Sequence, residues 1–238
     1  YTTNANGSLK VYIGSDDEIF ANQYSTDLFA YIGSSDKCTS TETITNIDLL
    51  NVTSVISMDR MFRCTGYNAM TELDLGSKFD TSNVWNMWAM FDGTGYNAMT
   101  TLNLGENFNT SKVTYMTWMF KGCGYTAMKT LNLGANFNTS KVTDMSWMFY
   151  SCGNKAMTTL NLGNNFDTSN VTKMRYMFAN TGYNAMTKLD LGDKFDTSNV
   201  TDMYRMFRGC GYLAMTSLNL GNKFNTSKVT DMNEMFFY

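Results

Sequence analysis

Phenylalanine recurs at positions 62, 91, 120, 149, 178, 207 and 236, a constant step of 29 residues. Val84, Met87, Met90, Leu102, Leu104, Gly105 and Phe108 have counterparts at the same step through most of the chain. A period of roughly 20 to 50 residues marks a supersecondary unit that cannot bury its apolar side alone and must stack on its neighbours. The 238 residues therefore predict one elongated array rather than two globular domains. Residues 1–43 depart from the frame and are expected to cap the first open apolar face. About seven coils should occupy 44–238.

Within one unit, AMTTLNLG (98–105) places Leu102 and Leu104 on one face and Asn103 on the other, as in a short strand. Gly105 ends the strand, and NTS (109–111) offers side-chain oxygens suited to capping a helix start. Val113, Met116, Met119 and Phe120 then follow the spacing of one helical face, up to the glycines at 122 and 124. The expected fold class is an α/β solenoid of 29-residue coils, with a parallel sheet on one side and short helices on the other. The strand-helix-strand rule makes it right-handed, and the width of helices puts the sheet on the inner curve. In the cap, LKVYIG (9–14) and DLFAYIG (27–33) read as apolar strands ending at glycine.

The chemistry of the chain is sparse. Apolar residues make up 43% of it, enough for a core, and the net charge is −3 without a basic run. No nucleic acid or anionic membrane surface is expected as a partner. No run of about 18 apolar residues exists, so this fragment should not insert directly into a membrane. Histidine is absent, which removes the usual general base, the usual zinc ligand and the Ser-His-Asp arrangement together. Asp80, Asp167 and Asp196 share a column with Asn109, Asn138 and Asn225, a swap that a catalytic carboxylate would not accept. The chain therefore reads as a non-enzyme without cofactor or metal. Charge tuning at a helix start is preferred for this column over calcium at stacked Asp167 and Asp196.

Coils with Asp in FDTSN carry Asn three residues later, whereas coils with Asn in FNTSK carry Lys112, Lys141 or Lys228 there. Cys123, Cys152 and Cys210 share a column with Thr65, Thr94 and Thr181, which favours packing as reduced thiols. Cys38 and Cys64, near the cap, are the better candidates for a staple. The 20 methionines sit mostly at frame positions and read as core filling. The chain opens with YTTNANGS and stops inside NEMFFY, part-way through a unit, which reads as an excised fragment.

The segment VTDMSWMFYSCGNKAMTTLNLG (142–163), and the signature F-D-T-S-N-V-T-x-M-x-x-M-F matched by Phe166 to Phe178, resemble the BspA-like leucine-rich repeats of bacterial and protozoan surface proteins, in their bacterial surface-repeat branch. The resemblance covers about residues 44–238. It implies a leucine-rich-repeat-like solenoid exposed on a cell surface, extracellular, and used for adhesion. The GYNAM segment and the longer LGENF turn depart from the shorter repeat of that family, and bear on loop shape.

The freest columns of the repeat indicate where recognition would sit. On a helix beginning at Val113 they hold Trp88, Tyr115, Trp118, Trp147, Tyr150, Arg175, Tyr176, Tyr204 and Arg205. Trp, Tyr and Arg are the types enriched at interface hot spots. The first functional expectation is a cell-surface binding or adhesion module presenting these side chains to a protein or glycan of a host or neighbouring cell. The alternative is a structural spacer or filament-forming repeat that associates end to end. A third reading, ice binding by the column of Thr71, Thr100, Thr158, Thr187 and Thr216, is disfavoured because Lys129 breaks the column. The packing alternative for the aromatic row is that its rings lie in gaps between coils and shield the core. If contact lies elsewhere, the strand column of Asn103, Asn132, Asn161 and Asp190 is the next place to look.

Overall fold

The computed structural model describes residues 2–3, 9–10, 17–41 and 44–238. The strands are very short: β1 (Thr2–Thr3), β2 (Leu9–Lys10), β3 (Ile19–Phe20), β4 (Leu50–Asn51), β5 (Glu72–Asp74), β6 (Thr101–Asn103), β7 (Thr130–Asn132), β8 (Thr159–Asn161), β9 (Lys188–Asp190) and β10 (Ser217–Asn219). β1 and β2 pair antiparallel, while β3–β4, β5–β6, β7–β8 and β9–β10 pair parallel. The paired repeat strands are in register, with Leu73 opposite Leu102 and Leu131 opposite Leu160. Leu102 and Leu104 point inward, and Thr101 and Asn103 point outward, as the alternation requires.

The segment expected to be helical is not. Among the described residues the only helix is the single 3-10 turn Ile47–Leu49. Between Val113 and Gly124 the chain runs as consecutive β-turns. The N–H groups of Met119, Lys121 and Cys123 donate to the carbonyls of Met116, Trp118 and Phe120, three residues back. The intervening N–H groups of Trp118, Phe120 and Gly122 donate to Ser146, Met148 and Tyr150 of the next coil, at 3.2, 2.9 and 2.8 Å. Alternation between a local and a lateral partner satisfies every one of these donors without an i to i−4 bond, and that excludes the α-helix. Val113, Met116, Met119 and Phe120 are nevertheless fully buried, so the inward columns stand although the backbone that carries them differs.

The core is built of ladders. Phe29, Phe62, Phe91, Phe120, Phe149, Phe178, Phe207 and Phe236 stack face to face, with ring centroids 5.4–5.6 Å apart. Each such aromatic contact adds about 0.5–1.5 kcal/mol beyond the area it buries. Phe108, Phe137 and Phe166 form a second stack at 6.4 and 6.5 Å. A ladder of buried threonines runs beside them. The Thr168 hydroxyl donates to the Asp196 carbonyl and accepts the Asp196 N–H, at 2.8 and 2.7 Å, and Thr81, Thr110 and Thr197 do the same one coil on.

The residues expected to cap a helix serve these coils instead. Oδ1 of Asp80, Asn109, Asn138, Asp167 and Asp196 accepts the N–H of the serine two residues later, at 2.8–2.9 Å. Asp and Asn offer the same acceptor, which explains their exchange. At the coupled position, Lys112 and Lys228 reach Oδ1 of Asn83 and Asn199 in the preceding coil at 2.7 Å, while Asn170 and Asn199 donate to the carbonyls of Ser140 and Ser169. Both residue types therefore tie neighbouring coils together. Among the described residues there is no group of three His, Cys, Asp or Glu placed to hold a metal ion, and no helix long and apolar enough to cross a membrane.

All five cysteines are free thiols, and Cys123, Cys152 and Cys210 are buried in the threonine-like column. Burial raises the thiol pKa of each of the three, that of Cys210 to about 12. Thr65, Thr94 and Thr181 fill the same column and donate to the carbonyls of Phe29, Phe62 and Phe149.

Residues 17–41 contain a further coil that the period of 29 does not reveal. Ser25, Asp27, Phe29 and Tyr31 donate from the backbone to Ser57, Asp59, Met61 and Arg63, an offset of 32 where later coils use 28. Phe29 stacks on Phe62 at 5.4 Å. DLFAYIG is therefore a run of turns, not a strand, with positive φ at Asp27, Tyr31 and Gly33. LKVYIG holds β2 at Leu9–Lys10, and its remaining residues lie outside those described.

Candidate functional site

The turn side brings the predicted residues into one row. At the third position of the turn Met116–Met119, Trp118 has φ 65°, as a type II turn demands. The same position one coil apart is occupied by Arg60, Ala89, Trp147, Tyr176, Arg205 and Glu234, all with φ between 52° and 65°. Side chains there project side by side along the stack. Trp88, Trp118, Trp147 and Tyr176 form a chain of ring contacts at 5.9, 6.2 and 3.9 Å. Tyr150 packs on Trp147 at 4.8 Å, and Tyr204 meets Tyr176 edge-on at 5.3 Å.

Cations continue the row. The Arg205 guanidinium lies 4.7 Å from the Tyr204 ring and donates to the Tyr176 hydroxyl at 2.8 Å, and Arg175 lies 4.9 Å over Tyr204. Two parallel bonds of 2.9 Å join Arg205 to Glu234. These bonds lower the Glu234 carboxyl pKa and, with the Tyr176 hydroxyl, raise that of Arg205. Desolvation, followed by the hydrogen bond with Tyr176, raises the Tyr204 phenol.

Of the nine predicted residues, Tyr115 and Arg175 are exposed and Trp88, Trp118, Trp147, Tyr150, Tyr176, Tyr204 and Arg205 are half-buried. Eight of them belong to the row. Tyr115 lies beside it, edge-on to Trp85 at 5.4 Å. Because the rings stack on one another, part of each ring face is occupied by its neighbour.

Sequence reasoning missed several members. Trp85 lies outside the chosen columns. Arg60 covers Trp88 at 5.3 Å, and its place in the column, 29 residues before Ala89, was a readable signal. A second aromatic stack, Tyr67, Tyr96 and Tyr125, stands at 4.7 and 4.5 Å in the GYNAM-type segment, where burial and the neighbouring phenols raise the Tyr96 pKa to about 12. Asp92, almost fully buried, is held between Arg63 and Lys121 at 3.3 and 3.4 Å, one charge from each adjoining coil.

No curated protein and no solved structure matches the chain. A family model does, over residues 33–157 and again over 124–238, two overlapping placements that suit an internally repeated chain. The chain belongs to that family, described as "Mycoplasma protein of unknown function, DUF285".

Proposed function

We propose that the chain is an extracellular, cell-surface binding module: a right-handed, leucine-rich-repeat-like solenoid whose turn side presents the aromatic and cationic row to a protein of a host or neighbouring cell. The left-handed column carries this reading. A non-glycine residue at such φ costs about 1–2 kcal/mol, and glycine would relieve it. Six residues further on, the turns use glycine in every repeat coil, at 66, 95, 124, 153, 182 and 211. The first column instead holds Arg60, Trp118, Trp147, Tyr176, Arg205 and Glu234 against that cost, with the buried Ala89 as its one member without an outward side chain, while the column between the two is mixed, with Cys64, Ser151 and Asn180 beside glycines. Strain kept at side chains that face outward points to use of those side chains. Rings already stacked on one another present edges, hydroxyls and guanidinium groups, which suit a protein surface better than the flat face of a sugar.

The test is simultaneous replacement of Trp118, Trp147 and Tyr176 by glycine, assayed against host cells and a panel of matrix proteins. Lost stacking of about 0.5–1.5 kcal/mol per pair offsets the relieved backbone strain. The melting temperature should therefore move by only a few degrees while binding falls at least tenfold. Unfolding of the variant would assign the row to packing, and unchanged binding would move the contact elsewhere. The continuous phenylalanine stack also suits a structural array that associates end to end. Concentration-dependent polymers in sedimentation would favour that second reading.

A further inference from the structure

The strand side contains a slot that the turn side lacks. Between β5 and β6 the N–H groups of Thr100, Thr101 and Leu75 find carbonyls across the junction, and β7–β8 and β9–β10 repeat the pattern. Between β6 and β7 the strands are not paired, and the counterpart bond from Leu104 to Asn132 is absent; β8 and β9 are likewise unpaired, without a bond from Leu162 to Asp190. The glycine that follows each strand reports the same opening. A Cβ on Gly105 would overlap the Gly76 carbonyl, whereas one on Gly134, or on Gly192 at the β8–β9 junction, would meet nothing within 4 Å; of the two openings, cavities flank the one between β6 and β7. Two adjoining cavities of about 550 and 420 Å³ open at this junction, sharing Asn103, Gly105, Leu133 and Gly134.

We infer that the slot between β6 and β7 is a binding site for a neutral oligosaccharide. Its lips carry unpaired backbone donors and acceptors together with Thr101, Thr130, Asn103 and Asn132, and Leu133 and Phe108 lie in its wall. Sugar hydroxyls both donate and accept, so one ligand type can serve both lips. The cavity volumes fall within the range of small-molecule sites, about 300–1,000 Å³. The titratable side chains lining it are the carboxylates Glu72, Asp74 and Glu106, with no cation among them, which disfavours phosphorylated, sulfated or sialylated ligands. An inserted peptide strand is disfavoured by space. It would need its flanking strands roughly 9.6 Å apart, twice the usual spacing. Cα atoms of β6 and β7 still approach within 8 Å, and the same two coils stay bonded on the turn side from Trp118, Phe120 and Gly122 to Ser146, Met148 and Tyr150, although the bridge between Tyr115 and Asp144, whose counterparts the other repeat junctions make, is missing here. The site is independent of the aromatic row, so either can fail alone.

Two measurements test it. In hydrogen exchange of the whole chain, the Leu104 amide should exchange faster than the cross-bonded amides of Leu75 and Leu133; equal protection would mean that the junction is closed and would overturn the proposal. In titration with neutral cello-, chito- and manno-oligosaccharides, at least one series should bind. Asn103→Ala with Asn132→Ala should then weaken it about tenfold or more, as expected for two lost hydrogen bonds. Asn219→Ala is the control, since the Asn219 side chain accepts its own glycine N–H as those of Asn103 and Asn132 do, but lies outside the slot. The triple glycine variant of the aromatic row should bind the sugar unchanged. Failure of all three series to bind, insensitivity to the asparagine pair, or tighter binding of a sulfated saccharide or an extended peptide would each overturn the proposal.

Discussion

The two sides of the stack are bonded differently, although the same 29-residue unit builds both. On the turn side each coil is tied to the next by a repeated set of backbone bonds, as from Met145, Trp147, Phe149 and Ser151 to Lys173, Arg175, Met177 and Ala179, and the set loses one member, from Met116 to Asp144, only at the junction where β6 and β7 part. On the strand side the coils pair two by two. The physical difference lies in how many lateral bonds each segment can offer. The turns send every second N–H across the junction over some eight residues, with phenylalanines stacked beneath. A repeat strand has three residues, so small departures from ideal stacking are absorbed there. The side that holds register is also the side where a row of side chains can be positioned, and the side that opens leaves room for a ligand.

The largest expected effect attacks the bonded side. Phe149 is fully buried and stacks on Phe120 and Phe178. Phe149→Ala should cost about 3–5 kcal/mol in chemical denaturation, and a loss below about 1 kcal/mol would show that the ladder does not hold the coils.

A sharper probe compares two glycines of the strand side. Gly105 and Gly134 both have φ 77°, so alanine at either bears about 1–2 kcal/mol of backbone strain. Gly105→Ala must also displace the Gly76 carbonyl, adding about 1–3 kcal/mol, while Gly134→Ala meets open space. Equal losses of stability in the two variants would remove the two-by-two pairing.

The smallest effect concerns the corner between the sides. The Ser198 backbone N–H, followed by its hydroxyl and by Lys223, lowers the Asp196 carboxyl pKa. A pKa lower in the folded than in the unfolded chain contributes stability above the unfolded value of about 3.9, lost as pH falls through the folded value. Asp196→Asn, which reproduces the residue found in other coils, should leave neutral-pH stability nearly unchanged and flatten the acid limb of a stability–pH profile. A steeper acid limb would contradict the assigned bond.

Much of this architecture is legible in the letters. The inward columns of Val113, Met116, Met119, Phe120, Leu102 and Leu104 follow from spacing, and so does the turn after Leu104. The candidate row was legible as a set of variable columns, because a side chain that leaves the core is free to change. Its internal stacking was not, since the rings meet only when coils 29 residues apart become neighbours. The coil around Phe29 escaped because its offset of 32 breaks the period.

The sequence by itself determined the repeat, the faces and the columns, all of which depend on residue type and local spacing. Tertiary structure alone decided that the Val-x-x-Met-x-x-Met-Phe segment is a ladder of turns. An apolar spacing of three and four residues suits a helix and these turns alike, and the choice depends on whether an N–H finds its carbonyl within its own coil or 28 residues away. The pairing of strands lies further still from the letters. Residues 101–103, 130–132 and 159–161 all read Thr-Leu-Asn, yet the second triplet pairs with the third and not with the first. Identical triplets cannot specify that difference, so it is decided outside them, by how the rest of each coil packs on its neighbours.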